Sequence, residues 1–140
     1  RTEDFEDLKL LFEPEAHRHK QSIHWEVSMG MNFGPPAAPI RQVALNLLLN
    51  ASAAAGPKGR LVVEAETKAG TFALTVQDNG PGLSDGDLER LLSEKPLPPG
   101  GGVGLRIVHD IVAAVSGRIT HERAGGVTRI TVEVPVPEGV

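Results

Sequence analysis

The chain has 140 residues, a formal net charge of −4 at pH 7 and no cysteine. This length suits one domain with a real hydrophobic core, and the acidic balance without a Lys/Arg cluster argues against a nucleic-acid surface. The lack of cysteine excludes disulfides, thiol nucleophiles and Cys-ligated metals, which fits a cytoplasmic protein, and no apolar run is long enough to insert into a membrane.

The first predicted elements are a helix and a strand. Residues 3–20 form an amphipathic pattern that Pro14 interrupts and that ends in basic residues; its apolar stripe is Phe5, Leu8, Leu11 and Phe12. Alternation from Ile23 to Val27 predicts a strand. A Gly/Pro-rich loop is expected over residues 28–39.

The strongest helical pattern runs from Arg41 to Ala55. Its apolar stripe contains Ile40, Val43, Ala44, Leu47, Leu48 and Ala51. Asn46 and Asn50 lie one turn apart at the edge of this stripe, and buried amides need hydrogen-bond partners. Neighbouring backbone could supply those partners, so the two amides alone do not establish a ligand site.

A carboxylate and two glycines follow the next strands. Residues 60–67 and 71–77 predict a hairpin around residues 68–70. The glycine loop, Asp78-Asn79-Gly80-Pro81-Gly82, comes directly after the second strand. Such a loop can place a carboxylate on a pocket floor and let backbone approach a flat ligand, although the same residues also make ordinary turns.

The last third predicts a short helix, a loop, a helix and a hairpin. Ser84 begins the short helix, which runs to Leu92, and the segment from Ser93 to Pro99 has no periodicity. A glycine run then leads into an apolar helix over residues 105–115, and strands over 118–122 and 128–134 flank a Gly-containing turn.

These motifs, in this order, resemble the ATP-binding domain shared by sensor histidine kinases, gyrase B-type topoisomerases, heat-shock chaperones and mismatch-repair ATPases. Asn46 to Ala51 resembles the N box, the glycine loop the first glycine box, and Gly102-Val103-Gly104-Leu105 the second. The opening residues 12–16 and the closing residues 116–119 and 131–135 are similar to the ends of a histidine-kinase catalytic domain.

The resemblance implies an α+β fold, a two-layer sandwich. A mixed, mostly antiparallel sheet of about five strands would carry the helices on one face. Residues 1–140 would form one catalytic domain of a longer sensor kinase, since the chain starts at Arg1 rather than Met. That domain would be cytoplasmic, and another part of the full-length protein could anchor it to a membrane.

The resemblance also implies a site for ATP and Mg²⁺. Asp78 would accept the adenine amino proton, with Gly80 and Gly82 close to the ring. Asn50 would ligate Mg²⁺ and Asn46 would line the site. Backbone N–H groups of Gly102, Val103, Gly104 and Leu105 would face the phosphates, and no Walker lysine follows these glycines.

This sequence departs from the family pattern at the phosphate end. Ala53 stands where such kinases usually carry Lys or Arg, so a phosphate contact is either missing or supplied by Lys95 or Arg106. The aromatic F box is absent, and Leu91 to Lys95 stands in its place. We expect Glu94 to Gly102 to form a short lid that ATP orders.

The position of the hydrolytic Glu in related ATPases is matched by Asn46, whose amide cannot act as a base, and this favours phosphotransfer over hydrolysis. The acceptor histidine is expected on a separate dimerisation domain, upstream of this segment, that passes phosphate to a response regulator. We interpret all five histidines here as structural, including His109-Asp110 and His121-Glu122. The alternatives are a stand-alone anti-sigma-type serine kinase and a regulatory nucleotide-binding module without kinase activity.

Overall fold

The computed structural model describes residues 3–27, 37–68, 70–82, 91–92 and 103–135. Its elements in chain order are α1 (Glu3–Arg18), β1 (Ser22–Val27), α2 (Ala37–Ala55), β2 (Arg60–Lys68), β3 (Thr71–Asp78), α3 (Val103–Ala114), β4 (Arg118–Ala124) and β5 (Val127–Pro135). Leu91 and Leu92 are helical. The rest of the helix predicted from Ser84, and the loop predicted after Leu92, lie outside the described residues.

The strands form one mixed sheet in the order β1-β2-β3-β5-β4. β1 and β2 are parallel, because α2 carries the chain back across the sheet between them. The other three neighbouring pairs are antiparallel. The predicted five-stranded, mostly antiparallel sheet is therefore confirmed.

The two faces of the sheet differ in polarity. Alternate residues of β3 and β5 are buried and join the stripes of the helices in one core; these strand residues are Phe72, Leu74, Val76, Ile130, Val132 and Val134. The opposite face carries polar residues such as Glu64, Thr75 and Thr131, of which the two threonine hydroxyls are 3.0 Å apart. The fold is thus the predicted two-layer sandwich.

Helix α1 differs in two details from its prediction. Its buried stripe is Leu8, Phe12 and Ala16, whereas Leu11 is 59% exposed. These buried residues are four positions apart, because this spacing keeps them on the face of the helix that packs on the core. Pro14 lies inside the helix without ending it. The carbonyl that loses its hydrogen bond to this proline belongs to Leu10, on the exposed side at 76% exposure, where water can replace the bond.

Helix α2 begins at Ala37, before the predicted start, so Pro39 lies in its first turn. A proline is tolerated there because first-turn N–H groups have no intrahelical acceptor. The six predicted stripe residues are all buried. Leu49 of the same helix is 43% exposed. Asn46 and Asn50 are partly exposed rather than buried.

The carboxyl end of α2 is held by a buried glutamine. The Nε2 of Gln21 donates to the carbonyls of Ser52 and Gly56, both at 2.8 Å, and the Ser52 hydroxyl donates to Gln21 Oε1 at 2.6 Å. These bonds satisfy carbonyl groups that a helix end otherwise leaves without partners. The end of α2 is therefore anchored to the segment between α1 and β1.

The final hairpin, which the sequence predicts around residues 124–126, is present and has a two-residue turn. Gly125 and Gly126 both have positive φ, 60° and 78°, which is the backbone geometry of a tight hairpin. Before it, Gly117 follows α3 and donates its N–H to the Val112 carbonyl at 2.9 Å. In the part of the chain that the structure describes, no helix is long and apolar enough to cross a membrane.

Candidate functional site

Asp78 is a buried carboxylate at the end of β3, only 6% exposed. Its Oδ1 accepts the N–H of Gly80 at 2.9 Å. Burial raises the pKa of Asp78, while the Gly80 hydrogen bond and the positive charge of Arg123 act in the opposite direction. Because a carboxylate has room for about four donors, this side chain can accept a further hydrogen bond.

Asp78 belongs to a row of residues that crosses four strands. Leu61 on β2 and Thr128 on β5 are its direct cross-strand partners, and Arg123 on β4 is the partner of Thr128. Cross-strand partners project to the same face, which here is the face covered by helices. Thr128 is only 1% exposed. The buried carboxylate of Asp78, the buried hydroxyl of Thr128 and the partly exposed guanidinium of Arg123 therefore converge at one end of the sheet.

Thr128 and Arg123 were not among the site residues predicted from the sequence. Thr128 interrupts the inward-facing series that continues with Ile130, Val132 and Val134, so a polar residue in an apolar alternation was the available signal. Arg123 gave no comparable signal, because its partner in the glycine loop, Gly80, lies 43 residues earlier in the chain.

The two glycines of the glycine loop are required by the packing of the loop itself. A Cβ on Gly80 would lie 2.3 Å from the carbonyl oxygen of Ala54 in α2. Gly82 has a φ of +93°, and a Cβ there would lie 2.9 Å from Cδ of Arg123. Neither position has room for a side chain, so the loop sits tightly between α2 and β4.

This contact aligns the N box with the glycine loop. Asn46, Asn50 and Ala54 follow one another at intervals of four residues, so they share one side of α2. Ala54 touches Gly80, and Asn50 is one turn away, a rise of about 6 Å. The side-chain Oδ1 of Asn46 already accepts a hydrogen bond from Nε2 of Gln42 at 2.7 Å. The fold thus brings Asn50 and Asp78 to neighbouring positions.

The second glycine box lies at the start of α3, which packs against α2. Val103 and Gly104 are in the first turn, and Leu105 anchors that turn in the core at 3% exposure. Gly102 and the predicted lid from Glu94 lie outside the described residues, as does Lys95. Arg106, the other candidate for the missing phosphate contact, has its Nε 3.4 Å from an Asp110 carboxylate oxygen.

Both His-acid dipeptides lie in regular elements, as predicted. His109 is in α3, with Nδ1 at 3.0 Å from Asp110 Oδ1 and a side chain that is 12% exposed. His121 is in the middle of β4. The separate acceptor domain stays a prediction.

The open face of the sheet carries a polar depression, but two of its carboxylates are already engaged. Glu64 accepts a hydrogen bond from Gln77 at 2.7 Å, and Glu133 accepts one from Arg118 at 3.2 Å. No group of three or more His, Cys, Asp or Glu side chains suited to a metal ion occurs among the described residues. The end of the sheet at Asp78 is therefore the stronger candidate.

Comparison with known families bears directly on this geometry. The family described as histidine kinase-, DNA gyrase B- and HSP90-like ATPase matches residues 36–138. The chain belongs to this ATPase family. The matched region of the ATPase domain contains the N box, the glycine loop and the start of α3. Because the family is one of ATPases, ATP is the nucleotide.

Sensor histidine kinases are among the relatives of this ATPase domain. It is 36% identical to the histidine-protein kinase BaeS of Escherichia coli over 69% of the chain, and 34% identical to the kinase/phosphatase MprB of Mycobacterium ulcerans over 76%. The matched segments are only 23% and 22% of those two proteins.

Solved structures agree with the fold. The nucleotide-free catalytic domain of histidine kinase ThkA has a TM-score of 0.82 at 24% identity, covering 97% of this chain and 95% of that one. Full-length ShkA, in complex with AMPPNP, has a TM-score of 0.76 at 26% identity and matches 94% of this chain over 29% of its own length.

Proposed function

We propose that this chain is the catalytic domain of a sensor histidine kinase, which binds ATP and donates its γ-phosphoryl group to a histidine on a separate dimerisation domain. The observation that carries the proposal is the buried Asp78 carboxylate at the end of β3, beside the anchored end of α2. The alternatives of an anti-sigma-type serine kinase and a module without kinase activity gain no support from BaeS and MprB, which are sensor kinases.

Asp78 selects adenine over guanine. Adenine presents an exocyclic amino donor where guanine presents a carbonyl, so a carboxylate accepts from the first and repels the second. Because Asp78 is buried, a base without the amino donor leaves the charge of the Asp78 carboxylate without a hydrogen-bond partner in a poorly hydrated site. Gly80 and Gly82 carry the main chain beside the ring with no side chain between them.

The phosphates bind between the N box and α3. Backbone N–H groups of Gly102, Val103 and Gly104 donate to phosphate oxygens at the start of α3, and buried Leu105 fixes that helix end. The partly exposed amide of Asn50 offers the kind of oxygen that Mg²⁺ accepts from a protein that supplies few ligands. When bound, Mg²⁺ neutralises phosphate charge during transfer.

The N box favours transfer over hydrolysis. Asn46 lies on α2 one turn before Asn50, and its amide cannot remove a proton from water at neutral pH. Water near the γ-phosphoryl group therefore lacks a general base, and the nucleotide survives until the acceptor histidine arrives. Phosphoryl transfer itself depends mainly on positioning and charge neutralisation, which amides and a metal ion supply.

The remaining parts of the phosphorelay lie beyond this chain. We infer that residues 1–140 are one domain of a longer sensor kinase, since the matched relatives extend far beyond the shared segment. An upstream helical domain would supply the acceptor histidine and the dimer contact, and a response regulator would receive the phosphate. The domain works in the cytoplasm, where ATP is available.

Calorimetric titration tests the nucleotide site. We expect the wild type to bind ATP and to discriminate against GTP, and Asp78→Asn to bind ATP at least about tenfold more weakly, as the loss of a charge-assisted hydrogen bond predicts. Equal ATP affinity in both proteins, or equal affinity for ATP and GTP, would end the assignment. For the kinase step, Asp78→Asn in the full-length protein should reduce histidine phosphorylation at ATP concentrations near the wild-type dissociation constant.

A further inference from the structure

We propose that Arg123 is a positioning residue for the nucleotide site, which holds the glycine loop in its adenine-binding geometry. The inference rests on the proposed function and adds to it a residue outside the sequence motifs. Arg123 lies near the end of β4, whereas the N box and the two glycine boxes lie on α2, after β3 and at the start of α3.

Arg123 makes two hydrogen bonds that join β4 and β5 to the loop. Its Nη1 donates to the carbonyl of Gly80 at 2.8 Å and to the hydroxyl of Thr128 at 2.5 Å. Both bonds are partly buried although the side chain reaches solvent. One guanidinium nitrogen therefore connects the loop to the residue directly opposite Asp78 in the sheet.

The side chain of Arg123 also fills the space beside Gly82. The position of a Cβ on Gly82 would be 2.9 Å from Cδ, 3.1 Å from Nε and 3.3 Å from Cζ of Arg123. The missing Cβ thus makes room for this arginine as well as for any ligand. Gly82 and Arg123 form a matched pair in which each restricts what the other position can hold.

Gly80 transmits the effect of Arg123 to Asp78. The carbonyl of Gly80 accepts from Arg123, while its N–H donates to Asp78 Oδ1 at 2.9 Å. The two bonds restrain the peptide groups on either side of Gly80, so moving Arg123 would move the donor that orients the carboxylate. The Thr128 hydroxyl accepts from Arg123, which leaves its own proton for another acceptor.

The second contribution of Arg123 is its charge. Burial raises the pKa of Asp78, and the positive charge of Arg123 opposes this rise. The cross-strand partners of Asp78, Leu61 of β2 and Thr128 of β5, are uncharged, as is Gly80, which rests on Ala54 of α2. Arg123 is therefore the cationic group that helps to keep Asp78 ionised for the adenine amino group.

Four variants separate the two contributions. Arg123→Met keeps most of the stem and removes the charge and donors, Arg123→Lys keeps the charge but not the planar fork, and Arg123→Ala removes everything beyond Cβ. Arg118→Ala is the matched control, because Arg118 is an exposed arginine at the other end of β4, paired with Glu133 at 3.2 Å. Each protein is titrated with ATP and with GTP from pH 5 to 8, and its melting temperature is recorded.

We expect Arg123→Met and Arg123→Ala to bind ATP about tenfold more weakly, in line with the loss of a hydrogen bond to a charged group, and to discriminate less between ATP and GTP. The pH at which ATP binding is half lost on acidification should move upward in these two variants. Arg123→Lys should keep the wild-type pH midpoint with an intermediate affinity. Arg118→Ala should match the wild type in all three quantities.

The inference is overturned if Arg123→Met matches Arg118→Ala in affinity, base discrimination and pH midpoint. It is also overturned if Arg123→Met lowers only the melting temperature, since that would mark a purely structural role. Wild-type binding and its loss in Asp78→Asn test the nucleotide site separately, so either outcome for Arg123 leaves the proposed function standing. Absence of ATP binding by the wild type would instead remove the proposed function.

Discussion

Gly80 lies directly against the main chain of Ala54, so close that a Cβ on Gly80 would come within 2.3 Å of the Ala54 carbonyl oxygen and 2.6 Å of its carbonyl carbon. The partner is the backbone of a helix end, which cannot rotate away as a long side chain can. The contact therefore sets the distance between the N-box helix and the carboxylate of Asp78.

Gly80→Ala tests this contact. We expect a loss of about 1–3 kcal/mol in the free energy of unfolding, because the loop and α2 must separate, and weaker ATP binding in the protein that remains folded. Gly70→Ala is the matched control: nothing lies within 4 Å of its Cβ position, and only its φ of +77° is unfavourable, at about 1 kcal/mol. Urea denaturation and ATP titration of both variants give the comparison. Nucleotide affinity equal to that of Gly70→Ala would contradict the role of the contact.

Asp78→Asn should stabilise the nucleotide-free protein at neutral pH. Because burial raises the pKa of Asp78, the folded state keeps the proton to a higher pH than the unfolded chain does. The contribution of Asp78 to stability is therefore most favourable in acid and falls as the pH rises through the folded pKa. Thermal melts from pH 4 to 8 should show a stabilising effect of Asp78→Asn that shrinks towards about pH 4.

An exposed carboxylate provides the control for this pH dependence. Glu66 is a solvent-exposed residue of β2. The substitution Glu66→Gln should therefore change the melting temperature little at any pH in this range. If Asp78→Asn lowers the melting temperature at pH 7, the buried carboxylate contributes to stability, and the direction argued from its burial is wrong.

Asn50→Ala should remove the metal dependence of ATP binding with little change in stability. The side chain is partly exposed, so its removal should alter the free energy of unfolding by about 0.5 kcal/mol or less. ATP titrations with and without Mg²⁺ should converge for this variant, while metal-free ADP binding is retained. Leu49→Ala, at the adjacent 43% exposed position, is the control that should keep the metal dependence. Survival of the Mg²⁺ effect in Asn50→Ala would make the asparagine structural.

Gln21→Ala should destabilise the protein by about 1–3 kcal/mol, because the carbonyls of Ser52 and Gly56 lose a buried donor. The Ser52 hydroxyl donates to the same glutamine, so Ser52→Ala should be less damaging in the Gln21→Ala background than alone. A double-mutant cycle by chemical denaturation measures this coupling. Strictly additive effects would show that the network does not act as a unit.

The isolated 140-residue chain should not phosphorylate itself. His109 and His121 lie within α3 and β4, and the acceptor is expected on another domain. Incubation with γ-labelled ATP, followed by acid and alkali treatment of the product, checks this. Acid-labile, alkali-stable label on this chain would place an acceptor histidine here.

Much of the fold could be predicted because its signals are local. The buried stripe of α2, the glycine turn between β4 and β5 and each of the three motifs depend on residues within a few positions of one another. The errors occurred where several local solutions were compatible with the pattern. In α1, spacings of three and four residues both fit, and only packing on the core buried Ala16 and left Leu11 exposed.

By itself, the sequence determined the elements, the motif order and the family resemblance, since periodicity and turn chemistry are encoded over short stretches. The tertiary structure decided the partners of Asp78. Arg123 is 43 residues from Gly80, and Thr128 is 50 residues from Asp78, so no local pattern could pair them. Strand register placed Asp78, Thr128 and Arg123 on one row, and the van der Waals contacts at Gly80 and Gly82 leave little space for a side chain at either glycine.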